Sequence, residues 1–142
     1  MAKFSDYRHH SDPVYRSWDR KYPRFPGVDE CARLIRAGKA RRAWADIIAY
    51  ELAENANNCL PALIDTFRND PGDHVRLYMM MALEIAGLPE SVPFLAEVLR
   101  DDNPQFTPFA ERTLRSINAR EARTVLWQAS HPDPDTSPDN DV

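Results

Sequence analysis

The sequence predicts an all-α fold, a short helical solenoid of repeated helix pairs. Three observations predict it. Apolar residues recur at helical spacing along most of the chain. Two stretches, 60–87 and 91–118, are similar, and Leu83 is matched by Leu114 31 residues later. Leu63 is matched by Leu95 and again by Leu126, at offsets of 32 and 31 residues. A fixed period of this size marks units that cannot bury their apolar faces alone and so stack on their neighbours. Third, each periodic segment closes on stop or turn chemistry: Gly38, Gly87, Asn69-Asp70-Pro71-Gly72 and Asp101-Asp102-Asn103-Pro104.

Taken in order, residues 1–27 carry Pro13, Pro23 and Pro26 among Phe4, Tyr7, Tyr15, Trp18, Tyr22 and Phe25. Disordered arms are poor in rings. This segment is therefore expected to lie on the domain as an irregular cap, since repeat arrays must cover their terminal faces. The repeat domain is expected over 28–130. Val28, Cys31, Leu34 and Ile35 fall on one face of a first helix that ends before Gly38. Lys39 to about Asn55 reads as a longer helix with Trp44, Ile47, Ile48 and Leu52 inward. Asn57 or Asn58 can cap the next helix, whose core face is Leu60, Leu63, Ile64 and Phe67. A helix from Asp73 to Ala86 follows and stops at Gly87. Pro89 suits the first turn of a helix reaching Arg100. Thr107-Pro108 reads as the N-cap and first residue of a helix through Ile117, and Ala119 to Ala129 is the last. Residues 131–142, HPDPDTSPDNDV, are acidic and proline-punctuated, with nothing to bury, and are expected to be disordered.

Size and charge narrow the function classes. At 142 residues the chain can bury a core without disulfides or metals. No apolar run reaches the roughly 18 residues of a transmembrane helix, and the polar start MAKFSDYRHH lacks the apolar stretch of a signal peptide. Cys31 and Cys59 match no zinc or redox spacing and sit beside apolar residues, as buried free thiols do. A cytoplasmic, reducing setting is expected from these features. Net charge is −4, but it is unevenly spread: residues 1–50 carry +5 and residues 51–142 carry −9. The acidic balance counts against a general nucleic-acid binder, whose affinity rests on phosphate contacts.

The stretch Ala82 to Leu95 resembles the link between HEAT-like repeats of the phycobilisome-lyase type. Ala82-Leu83, Gly87, Pro89, Val92-Pro93 and Leu95 stand where such a link has an Ala-Leu pair, a Gly stop, a proline turn, Val-Pro and Leu. Leu114, Ile117, Ala122 and Leu126 follow the same pattern more loosely, and His74-Val75-Arg76 resembles the opening of a second helix. Leu88, Asn118 and Thr107-Pro108 depart from it. The resemblance covers about residues 40 to 127. It implies a right-handed stack of about three helix pairs whose second helices line a concave, partner-binding side.

Candidate contact residues follow from that phase. The segment HVRLYMMMALEIAG has a core stripe of Val75, Tyr78, Met79, Ala82, Leu83 and Ala86. A second apolar stripe, Leu77, Met80, Met81 and Ile85, suggests either a helix buried all round or an adaptable methionine-lined surface. Steps of 31 residues align Tyr50, Met81 and Arg112, and beside them Ala53, Glu84 and Arg115. The expected partner-binding set is therefore Tyr50, Leu77, Met80, Met81, Glu84, Arg112 and Arg115.

Nothing points to catalysis. His9-His10 lies near Asp6 and Asp12 without metal-ligand spacing, and His74 reads as a surface or capping residue. Glu51 and Glu84 read as a solvated face. The serines lie in no nucleophile elbow and the glycines form no phosphate loop. No cofactor or metal is expected. The reading is a non-enzymatic module that binds another protein, in its most concrete form a small inhibitor or immunity protein facing a basic surface. Two alternatives remain. One is a nucleic-acid-binding domain using Arg8, Arg16, Arg20, Lys21 and Arg24 between their rings. The other is a chromophore- or small-ligand-handling protein, which the lyase resemblance implies.

Overall fold

A computed structural model describes residues 13–38, 44–101, 103–117 and 119–131. The described chain is helical, with no strand among the described residues. Its helices are α1 (Pro13–Lys21), α2 (Val28–Arg36), α3 (Ala45–Asn69), α4 (Asp73–Ala86), α5 (Val92–Asp101), α6 (Thr107–Ser116) and α7 (Arg120–Ser130), with a 3-10 turn at Pro89–Ser91. The chain divides into two compact units, Met1–Ala86 and Gly87–Val142. No helix among the described residues is long and apolar enough to cross a membrane.

In the first unit, α3 packs on α4, and α2 packs on both. The stripe expected on α2 is buried in full, as Val28, Cys31, Leu34 and Ile35. Ile47, Ile48, Leu52, Leu63 and Phe67 of α3 and Val75, Tyr78, Met79 and Leu83 of α4 complete this core. Arg36 at the end of α2 reaches Asp70 after α3, with Nε 2.8 Å from Oδ2. The Asp70 Oδ1 accepts the Gly72 N–H at 2.8 Å, which shapes the turn into α4.

The irregular cap expected over residues 1–27 needs correcting where it is described. Pro13–Lys21 is a helix. Tyr15, Trp18 and Tyr22 recur at helical spacing, and the prolines bound the helix rather than interrupt it. Pro13 sits at its first position, where its missing N–H is no loss, and Pro23 and Pro26 follow its end. Trp18 is fully buried, its ring centroid 4.7 Å from Tyr22 and 5.3 Å, edge-on, from Trp44. Residues 1–12, the expected start of a helix at Lys39, and the expected tail beyond His131 lie outside the described residues.

One boundary shifts by a residue or two. The break expected at Asn57 or Asn58 falls at Cys59, which alone leaves helical geometry within α3 (φ −131°, ψ 23°). Pro61 is the cause: it has no N–H to continue the ladder, and its ring crowds the preceding turn. Cys59 Sγ donates to the Asn55 carbonyl at 3.1 Å, and Asn55 Nδ2 to the Glu51 carbonyl at 2.7 Å, so side chains line the kink.

In the second unit, α5, α6 and α7 each pack against the other two. Val92, Phe94, Leu95 and Val98 meet Phe106, Ala110, Leu114, Ile117 and Ala122 in its core. The 3-10 turn holds Pro89, with the Ser91 hydroxyl donating to the Leu88 carbonyl at 2.6 Å. Phe106, rather than Thr107, is the N-cap of α6, since its carbonyl accepts the Ala110 N–H at 3.0 Å. Asn103 organises the turn before it. Its side-chain oxygen accepts the Gln105 N–H and its carbonyl those of Phe106 and Thr107. Gly87 opens this unit with φ 59°, the left-handed backbone that stops a helix at least cost in glycine.

Candidate functional site

The expected contact residues fall in both units. Tyr50, Leu77, Met80, Met81 and Glu84 belong to the first, Arg112 and Arg115 to the second. On α4, Leu77, Met81, Glu84 and Ile85 are partly exposed, whereas Met80 is fully buried and cannot touch a partner. The reason is packing: α4 meets both α3 and α2, so its buried arc is wider than one helical stripe. Tyr50 on α3 is also half-buried. On α6, Arg112 and Arg115 are exposed. The Arg112 guanidinium lies 4.5 Å from the centroid of Phe109, and Arg115 meets Glu111 at 3.5 Å. Both arginines thus stand at the surface, and the exposed Arg115–Glu111 pair costs little to rearrange.

Glu51 corrects the expectation of a solvated carboxylate. It is 3% exposed, and the Tyr15 hydroxyl of α1 lies 3.5 Å from its Oε2. Its place was legible in the phase: Ile47, Ile48, Glu51 and Leu52 share one face of a helix. Beside it is a small recess of ≈ 120 Å³, lined by Tyr22, Pro23, Arg24, Phe25, Glu51, Glu54 and Asn55. Tyr22 in turn donates to Glu30 at 2.5 Å, and Glu30 forms a two-point pair with Arg33, 2.6 Å at Nε. Those bonds, from Arg33 first and Tyr22 second, pull the Glu30 carboxyl down from 4.5 to about 2.

The first unit also has an open cleft of ≈ 420 Å³ lined by Asp29, Arg36, Asp65, Thr66, Asn69, Asp70 and Pro71. Burial pushes the Asp70 carboxyl up, but the Gly72 N–H and Arg36 outweigh it, leaving it below the ordinary value. Among the described residues no group of three or more His, Cys, Asp or Glu side chains could hold a metal ion. Cys31 is buried in α2, and burial above all, then Glu51, pushes its thiol up to about 12. Cys59 is raised by burial as well. Neither sulfur is poised as a nucleophile, because the thiolate is the reactive form.

Two of the rings expected to stack on nucleic acid, Tyr15 and Trp18, are packed inside the first unit, whereas Tyr22 and Phe25 are half-buried. Tyr15 is 6% exposed and Trp18 is fully buried. Arg16, Arg20, Lys21 and Arg24 stay at the surface, without those two open rings between them.

Sequence reasoning passed over one residue. Trp127 on α7 is 61% exposed, and among the described residues it is the exposed large hydrophobic side chain. Its ring stacks on His131 at 4.6 Å and 11°. The signal was its phase. Ala122, Val125, Leu126 and Ala129 recur at i, i+3, i+4 and i+7, which leaves Trp127 off the inward stripe. Only Ala122 of α7 is buried.

No protein-family model matches this chain, and neither a curated protein nor a solved structure does.

Proposed function

We propose that this chain is a non-enzymatic protein-recognition domain that contacts its partner through surface side chains, with Trp127 as an anchor. The exposure of Trp127 carries the reading. Tryptophan in water exposes more apolar area than any other side chain, and contact hot spots are enriched in Trp, Tyr and Arg. The half-exposed Leu77, Met81 and Ile85 on α4 support it, since methionine adapts to irregular partner surfaces. The solenoid stacking implied by the resemblance to HEAT-like repeats belongs to this proposal. So does the more concrete form, a small inhibitor or immunity protein for a partner with a basic surface, which rests on the net charge of −4.

The test is a nuclease-treated pull-down from the source cells with three baits: wild type, Trp127→Ala and Met81→Glu, each checked for folding by circular dichroism. A protein held by wild type and lost or weakened at least tenfold by Trp127→Ala supports the reading. Equal retention by Trp127→Ala removes Trp127 from the contact. Recovery of nucleic acid alone from an untreated control overturns the protein-recognition reading.

A further inference from the structure

We draw no further inference here: the strongest candidate, the open cleft of α2 and α3 lined by Asp29, Asp65 and Asp70, is an acidic cluster whose buried carboxylate, Asp70, is already held by Arg36 and Gly72, and nothing in the structure points to a ligand for it.

Discussion

Replacing Trp18 by alanine tests whether α1 is part of the cooperative fold. The indole is fully buried and packs on Tyr22 and Trp44. Truncating a buried aromatic to alanine costs about 3–5 kcal/mol, and two ring pairs favour the upper part of that range. One term opposes it. The Trp18 Nε1 is buried with no hydrogen-bond partner among the described residues, and an unsatisfied buried donor carries a penalty of about 1–3 kcal/mol that the substitution removes. The expected net loss is therefore about 1–4 kcal/mol. With a urea m-value of about 2 kcal/mol/M, the midpoint falls by about 0.5–2 M. Far-UV circular dichroism is the readout, because removing a tryptophan disturbs fluorescence. Trp18→Phe, which keeps a ring and drops the donor, is expected to lose less than half as much. A midpoint shift below about 0.3 M with an unchanged m-value would refute the reasoning, because α1 would then contribute nothing to the cooperative unit. A reduced m-value would instead show α1 detaching before the rest unfolds.

Four further outcomes follow from the structure. Leu83→Ala, a fully buried position on α4, is expected to cost about 2–5 kcal/mol in urea unfolding, whereas Met81→Glu, half-exposed on the same helix, is expected to stay within about 1 kcal/mol; equal losses would show that Met81 is core. Gly87→Ala is expected to cost about 1–2 kcal/mol by the same assay: its φ of 59° is strained for any residue with a Cβ, although nothing lies within 4 Å to clash with one. Glu30 gains stability from a lowered pKa, so its contribution is complete above the ordinary value of 4.5 and is lost as pH falls toward about 2. Thermal melts of wild type and Glu30→Gln should therefore differ at pH 6 and converge near pH 2; a constant difference would exclude the Tyr22–Glu30–Arg33 link. With burial raising both thiols, Cys31 and Cys59 should react slowly with a thiol reagent at pH 8 in the native state and quickly in denaturant, and fast native labelling of Cys31 would contradict its burial.

The α2 and α4 stripes, the stops at Gly38 and Gly87 and the turn at Asn103 were legible, because each depends on local spacing or on one residue's backbone preference. Pro61 was legible in principle as a break, and the non-helical residue is Cys59, two positions before it, rather than the cap expected at Asn57 or Asn58. Met80 was misjudged because a single helical stripe does not show how many neighbours a helix has, and α4 meets two. Glu51 shares the face of Ile47, Ile48 and Leu52, but a carboxylate on that face does not by itself announce that Tyr15 of α1 covers it. The aromatic spacing of residues 15–22 was present in the sequence, and Pro13, Pro23 and Pro26 stand at or beyond the ends of α1 rather than inside it.

What the sequence by itself determined is the helical class, the order of the helices from α2 onward and most of their ends. Those properties follow from periodicity, proline and glycine, which act over a few residues. The tertiary structure decided which faces stay in water. Trp18 is sealed among rings and Trp127 is left open, although both are tryptophans on short helices. Exposure depends on what packs across from a side chain, and that partner lies far away in the sequence.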